Sequence, residues 1–367
     1  MTESSPLRVA LALSAWALAG ACSGQARTIG LPEEQASSAG GSTNDVPASA
    51  GNRSSPERDP PPKEAHEPPR MPPDAGAYLV PIAWVPFAPP RGACAISDRV
   101  GRFTIERQVD FGVVQGTIAE GVVPTSVPEL VVEQGTCKLL ERRTLGCLPP
   151  CVGAETCGEA GQCIPYPRQL SVGDVHVSGL TRETRMAAQV PGNAYFSPGA
   201  DNPPFAVLSE IVLQAEGAGE LPAFALFGVG SEPLAQAPRW LIEAGADLLL
   251  SWARAGSDAG TTVAVELTID QHGVSPLSLG CEFEDSGSAV VPASLIDQMI
   301  GSGVSGFPNG RIMRRTADHV ELGVGCVELL VGSPLPVAVA VAGHTPCNVP
   351  ADCPAQQSCN VPLQRCE

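Results

Sequence analysis

Cysteine is the residue that most constrains this chain, which contains thirteen of them. Eight fall into two clusters of four, in short segments that otherwise consist mostly of Gly, Pro, Ala and Gln. The first cluster is Cys147, Cys151, Cys157 and Cys163, and the second is Cys347, Cys353, Cys359 and Cys366. Segments with so few core-forming side chains hold a shape only when they are cross-linked. We therefore predict two small cysteine-rich modules, at 147–164 and 346–367.

Disulfides and zinc are the two cross-links that clustered cysteines can support. Neither cluster has the C-x2-C pairs of a typical four-cysteine zinc site, so we predict disulfides and no metal or other cofactor. Four cysteines allow three pairings, and the spacing does not choose among them. Four further cysteines lie outside the clusters. By elimination we pair Cys94 with Cys137 and Cys281 with Cys326, each bridge joining two strands.

The thirteenth cysteine, Cys22, ends an N-terminal segment with the features of an export signal. Arg8 precedes an apolar run at 9–18, and small residues follow it directly before Cys22. This order is typical of a secretory signal peptide, and the run is shorter than the roughly 20 residues that span a bilayer. We assign the signal peptide to 1–21. The sequence Leu-Ala-Gly-Ala-Cys resembles the lipobox of bacterial lipoproteins. That resemblance implies a diacylglyceryl group on Cys22, and Ser23 after it implies the outer membrane.

The segment 22–76 follows the predicted anchor and is rich in Ser, Gly, Pro, Glu and Ala. With hardly any large apolar side chain, it cannot bury enough surface to offset the entropy lost on ordering. We predict a disordered tether that links the membrane to a folded part. The net charge of the whole chain is -17, which argues against nucleic acid as a partner because no basic surface neutralises phosphates.

The remaining residues predict a β domain in two parts, 77–146 and 165–345. Large apolar residues alternate with polar ones at 103–111 and 175–177, with alanine or polar residues at 263–269, and with alanines at 337–341, which is typical of strands with one buried face. We expect an antiparallel β-sandwich or barrel, with a hairpin that joins 248–252 to 261–269. Pro292 and the apolar spacing of the residues after it predict one short helix that ends at 301–303. Trp240 and Trp252 are expected in the core, and Asp318 and His319 beside Arg314 and Arg315 in a surface cluster.

The most specific catalytic candidate is Asp285, in the sequence Asp-Ser-Gly-Ser before an apolar pair and a proline. This stretch resembles the aspartic protease motif, in which two aspartates share a proton and activate water. The chain has no second motif of this kind, so such chemistry would require a homodimer. The competing interpretation is an acidic strand end, a tight turn and a helix, with no catalytic role. No H-E-x-x-H or G-x-S-x-G pattern occurs, which leaves metal-hydrolase and serine-hydrolase chemistry without their residues.

Two further resemblances bear on the modules and on location. The lipobox, the tether, the β domain and the tail PADCPAQQSCNVPLQRC together resemble cysteine-rich lipoproteins common in myxobacteria, which implies a location and no reaction. The clusters resemble EGF-like modules, and this implies that the first cysteine of each pairs with the third and the second with the fourth.

These observations lead to one principal expectation and two alternatives. We expect a non-enzymatic protein, anchored by lipid in the outer membrane or at the cell surface, whose β domain serves binding, adhesion or envelope structure. Its partners are the membrane and an unknown protein or glycan ligand. The first alternative is an exported hydrolase, a dimeric enzyme resembling aspartic proteases that uses Asp285. The second is that the cysteine-rich modules are themselves protein-interaction units.

Overall fold

The computed structural model describes residues 85–235, 239–256, 260–273 and 276–367. The predicted signal peptide, Cys22 and the predicted tether lie outside these residues. The chain divides after Tyr78, and every described residue belongs to the second unit, Leu79–Glu367. Within this described part, no helix is both long and apolar enough to cross a lipid bilayer.

The described residues confirm the mainly β class, with twenty strands and one α-helix. The strands are β1 (Arg99–Arg107), β2 (Gly112–Ile118), β3 (Glu129–Gln134), β4 (Cys137–Glu141), β5 (Glu155–Cys157), β6 (Cys163–Pro165), β7 (Val175–Ser178), β8 (Thr184–Met186), β9 (Tyr195–Phe196), β10 (Glu210–Ala215), β11 (Phe224–Val229), β12 (Trp240–Ile242), β13 (Leu248–Ser251), β14 (Thr262–Thr268), β15 (Leu277–Glu284), β16 (Ser288–Val291), β17 (Asn309–Leu322), β18 (Gly325–Val341), β19 (Cys359–Asn360) and β20 (Arg365–Cys366). The helix is α1 (Ala293–Ser302).

Two sheets account for most of the strands. The ten-stranded sheet has the order β3-β4-β15-β14-β17-β18-β1-β2-β9, and β12 also pairs with β18. The four-stranded sheet has the order β11-β10-β7-β8. Most neighbours are antiparallel, as expected, but β1 and β12 both run parallel to β18. Strand β18 therefore has β17 along one edge, and β1 followed by β12 along the other.

The hairpin of β17 and β18 is long enough to serve two separate hydrophobic cores. At its open end Ile312 and Val337 join a core that includes Leu295 of α1 and side chains of β13, β14 and β15. Near its turn Val327 and Leu329 join a second core, between β1 and β2 of the large sheet and the four-stranded sheet. We call these the helix core and the sandwich core.

Between the two cores, β17 presents three buried polar side chains on one face, since alternate residues of a strand point the same way. Arg314, Thr316 and Asp318 are 1%, 3% and 0% exposed. Thr316 Oγ1 accepts a hydrogen bond from the backbone N–H of Val229 at 3.0 Å, and Asp318 Oδ2 accepts one from the N–H of Phe227 at 2.9 Å. Side chains of β17 thus hold the edge of β11 on the large sheet. We call these two hydrogen bonds, accepted by Thr316 and Asp318, the side-chain ladder.

The side-chain ladder overturns the predicted surface cluster at Arg314, Arg315, Asp318 and His319. Arg314 and Asp318 lie on the same face of β17 as the core residue Ile312, and the packing of β11 against this face helps to bury them. Only Arg315 and His319 lie on the opposite face, where both are half-buried.

Two local predictions about strands were also wrong. Strand β13 pairs with β16 rather than β14, because β14 lies inside the large sheet between β15 and β17. Strand β1 ends at Arg107, and a turn closed by the bond from the N–H of Gln108 to the carbonyl of Phe111 follows it. Val109 and Phe111 are therefore 70% and 57% exposed instead of continuing the strand.

The short helix is confirmed, with small differences at its ends. Pro292 caps α1 from an extended conformation and is not its first helical residue. Leu295, Ile296 and Met299 are buried in the helix core, as their spacing predicts. Gly303, at φ 132°, ends the helix in a conformation that favours glycine.

The structure pairs all twelve described cysteines, and the pairing within the β domain differs from the prediction. The bridges are Cys94–Cys326 and Cys137–Cys281, not Cys94–Cys137 and Cys281–Cys326. Neighbouring strands explain both: Cys137 of β4 lies directly opposite Cys281 of β15, and Cys94 precedes β1, which pairs with β18 from Cys326 onward.

In the two modules, the pairing implied by the EGF-like resemblance is confirmed. The bridges are Cys147–Cys157 and Cys151–Cys163 in the first module, and Cys347–Cys359 and Cys353–Cys366 in the second. Each module contains one two-stranded hairpin, β5–β6 or β19–β20, whose paired ends carry cysteines.

The side-chain ladder predicts that Thr316→Val destabilises the domain, although valine has nearly the same shape as threonine. The substitution removes the acceptor of the partly buried Val229 N–H, and an unsatisfied donor withdrawn from water costs about 1 kcal/mol or more. Denaturant unfolding under non-reducing conditions measures the loss. Thr104→Val, at a half-buried position on β1, is the control and should change the free energy of unfolding by less than about 0.5 kcal/mol. Equal effects of the two substitutions would contradict the ladder.

Candidate functional site

Asp285, the sequence's catalytic candidate, lies in the turn between β15 and β16. Strand β15 delivers it from the large sheet, and Gly287, at φ 94°, allows the chain to reverse into β16. The interpretation of Asp-Ser-Gly as a turn is therefore confirmed, although a short strand separates this turn from α1. The carboxylate points inward, and the side chain is only 10% exposed.

Four hydrogen bonds engage the carboxylate of Asp285. Arg314 approaches it with both ends of its guanidinium group: Nε lies 2.8 Å from Oδ2 and Nη2 lies 3.3 Å from Oδ1. The indole N–H of Trp252 donates to Oδ1 at 2.7 Å, and the backbone N–H of Ala255 donates to Oδ2 at 3.1 Å. An ionised carboxylate offers about four lone-pair positions, so this set fills its accepting capacity.

These contacts decide the charge state of Asp285. Burial alone would raise the pKa of the carboxyl group, because removal from water disfavours the charged form. The hydrogen bonds from Arg314, Ala255 and Trp252, together with the positive charge of Arg314, outweigh burial and lower the pKa below its ordinary value. Asp285 is therefore an ionised partner of a buried arginine.

This geometry favours a structural role over acid–base chemistry. An aspartic protease pair needs a second carboxyl group beside the first, so that the two share one proton and hold a water molecule. In this chain a guanidinium group lies against the carboxylate. Arg314 also donates to the carbonyls of Glu232 at 2.9 Å and of Ala253, so the pair ties together β17, the β15–β16 turn and the chain around 232 and 253.

A cleft of about 620 Å³ opens beside this ion pair. Its wall includes Arg254, Thr262, Glu284 and Ser286 as well as Asp285. The cleft is polar, and its charged side chains carry both signs. Asp285 contributes to the wall while its lone pairs are directed into the protein.

The two tryptophans expected in the core are both engaged within the fold. Trp240 is 2% exposed in the helix core. Trp252 is half-buried, bonds Asp285 and packs against Phe283 with ring centroids 6.4 Å apart. The prediction that both belong to the core is confirmed for Trp240, while Trp252 lies at the core's boundary.

A second polar group, on the four-stranded sheet, brings together Asp174, His176 and Glu216. Their ligand atoms lie within 4.8 Å of one another, a separation that a metal ion could bridge. Arg185 already occupies this position: its guanidinium group contacts Asp174 at 2.5 Å and Glu216 at 3.8 Å, and His176 Nε2 lies 3.0 Å from Glu216. The group is a polar network in which Arg185 pairs with both carboxylates.

Sequence reasoning placed Arg314 in a surface cluster and missed its part in organising the Asp285 site. A signal was present, because Arg314 is in phase with Ile312 on a strand whose inner face is otherwise buried. An arginine at such a position needs a carboxylate partner, since a buried charge is stable only when it is paired.

Comparisons with known proteins add no relative to this description. No protein-family model matches the chain, and a search of curated proteins found no significant match.

The ion pair predicts a large effect of Asp285→Asn on stability. The variant leaves the Arg314 charge buried without its counter-ion, and breaking a buried pair in this way costs about 3–5 kcal/mol. Non-reducing denaturant unfolding followed by circular dichroism measures the loss. Glu282→Gln is the matched control: it removes a carboxylate that is 41% exposed and 3.1 Å from Arg315, where about 1 kcal/mol or less is expected. A stable Asp285→Asn protein would refute the structural role.

The lowered pKa of Asp285 also predicts how this difference depends on pH. Its folded pKa lies below the unfolded value of about 3.9, so the stabilisation is complete above that value and is lost as pH falls through the folded pKa. The gap in unfolding free energy between wild type and Asp285→Asn should therefore be wide near pH 7 and should narrow progressively as the pH falls below the unfolded pKa of about 3.9. A gap independent of pH would show that Asp285 does not titrate with folding.

Proposed function

We propose that this chain is exported, anchored through a lipid on Cys22 in the outer membrane or at the cell surface, and displays its β domain without catalysing a reaction. The displayed domain serves binding, adhesion or envelope structure, and its ligand is a protein or a glycan. The tether at 22–76 holds the domain away from the membrane.

The observation that carries the proposal is the set of six disulfides. They use every cysteine from Cys94 onward, and of the thirteen cysteines in the chain they leave only Cys22 outside the bridges. Bridges of this number persist in oxidising compartments and are rare in the cytosol. The small residues before Cys22, and its place at the end of an export signal, suit a cysteine that carries lipid.

Two further observations support display over catalysis or nucleic-acid binding. The most specific catalytic candidate, Asp285, is committed to a buried ion pair with Arg314. A dimeric hydrolase would have to break that pair before Asp285 could share a proton. The net charge of -17 also opposes binding to phosphates. The resemblance to cysteine-rich myxobacterial lipoproteins supports the same location.

The test is the intact mass of the non-reduced protein extracted from the membrane fraction. The expected mass corresponds to a chain that begins at an acylated Cys22 and lacks the twelve hydrogens lost in six bridges. A wild-type protein without lipid would overturn the anchor, and free thiols after Cys94 would overturn the argument from pairing.

Cys22→Ser is the matched control for this measurement. It should lose the lipid and leave the membrane fraction while it keeps the same deficit of hydrogens, because Cys22 takes no part in the six bridges. If the variant remained membrane-bound, the anchor would have to lie elsewhere in the chain.

A further inference from the structure

One bridge encloses almost the whole β domain. Cys94 and Cys326 are 232 residues apart, and β1 to β17 all lie between them. The Cys137–Cys281 bridge, with a separation of 144 residues, is nested inside this loop, as is the first cysteine-rich module. A pull applied to the chain before Cys94 therefore passes through the bridge to Cys326 and bypasses everything in between.

The chain around Cys94 is fastened to the β17–β18 hairpin by more than the bridge. The backbone N–H of Cys94 donates to Glu328 Oε2 at 3.0 Å, and both atoms are buried. Arg91 donates to Asp318 Oδ1 from its backbone N–H and its Nε, each at 2.9 Å, and the Gly92 N–H donates to the carbonyl of Ala317. The entry of the chain is thus held at the turn end of the hairpin.

Strand β18 continues the path from the bridge towards the C-terminal module. It is extended from Gly325 to Val341 and bonded on both edges, to β17 on one side and to β1 and β12 on the other. The C-terminal module begins a few residues later, at Cys347, which is buried. The module is bonded to the loop that leads into β17, where the Gly306 N–H donates to the carbonyl of Leu363.

We propose that this path makes the domain a force-bearing link: tension between the N-terminal tether and the C-terminal module runs along β18 and leaves the fold intact. The source of the tension rests on the proposed lipid anchor. The mechanical property rests on the bridge and on β18 alone. In this arrangement the pulling force acts on the end of the domain that carries the C-terminal module.

The physical reason is that β18 is already almost fully extended, so tension can lengthen it very little. A strand already rises about 3.3 Å per residue, and a fully extended chain reaches at most about 3.6 Å. Pulling Cys326 away from Val341 therefore gains only about 5 Å in total. The residues that connect β18 to the bridges of the C-terminal module add a few nanometres.

The test is single-molecule stretching of the full-length, non-reduced protein between click-reactive residues placed at Pro86 and Glu367. Wild type should release less than about 5 nm of chain before a handle detaches. A wild-type release of about 30 nm or more would overturn the proposal, because the load would then have unfolded the region between Cys94 and Cys326.

Two double variants separate this bridge from bridges in general. In Cys94→Ser/Cys326→Ser the load runs through the inner Cys137–Cys281 bridge instead. That bridge still shields 144 of the 232 residues between Cys94 and Cys326, so stretching should release about 88 residues, or about 30 nm of chain. Cys137→Ser/Cys281→Ser removes a bridge of the same sheet, yet it should still release less than about 5 nm. Release from the second variant alone would overturn the proposed path.

Circular dichroism establishes beforehand that each variant is folded. If a variant does not fold, stretching the wild-type protein before and after reduction by a phosphine gives the same contrast, with long release expected only after reduction. A protein that resists stretching but lacks lipid in the intact-mass measurement would disprove the anchor and keep the force-bearing link. A lipidated wild-type protein that releases about 30 nm or more would keep the anchor and disprove the force-bearing link.

Discussion

The side-chain ladder on β17 is the interaction on which the arrangement of the two sheets depends. An edge strand usually finds a neighbouring strand or water for its backbone groups, whereas β11 meets Thr316 and Asp318. Apolar contacts in the sandwich core are tolerant of small shifts, but hydrogen bonds are directional and costly to leave unmade. The spacing of two residues on β17 matches the spacing of two residues on β11, so only one register satisfies both donors. Specificity at this sheet-to-sheet contact comes from polar groups, and the apolar surface beside them supplies the driving force.

The β17–β18 hairpin passes through both hydrophobic cores, which joins them into one cooperative structure. Ile312 and Val337 belong to the helix core, while Val327 and Leu329 belong to the sandwich core, yet all four lie on the same two strands. Neither core can therefore lose the hairpin without affecting the other. The Asp285–Arg314 pair lies between the cores and fastens a turn of one to the strand that serves both. This position explains why Asp285, the most specific catalytic candidate of the sequence, has a structural role.

Alternation and local spacing made some features predictable and left others out of reach. The β class and the helix at α1 follow from which face a side chain occupies, and period-two or helical spacing reports that directly. The pairing within each module came only from the EGF-like resemblance, because the spacing alone leaves three pairings open. Alternation does not say which strand lies beside which, so the partners of Cys94 and Cys137 and the neighbour of β13 were assigned wrongly. Arg314 was missed for the same reason: its partner Asp285 is 29 residues away, in a turn whose position only the sheet order fixes.

The nested order of the bridges has a consequence for how the protein is made. In the export that we propose, a chain that crosses the membrane N-terminus first brings Cys94 and Cys137 into the oxidising compartment long before Cys326. Oxidation in order of appearance would join those two and trap the domain with a non-native bridge. Correct pairing requires that Cys94 wait for the last long strand or that an early bridge be exchanged through a mixed disulfide. Yield of the native protein should thus depend on the cell's capacity for disulfide isomerisation and not only on its oxidising power.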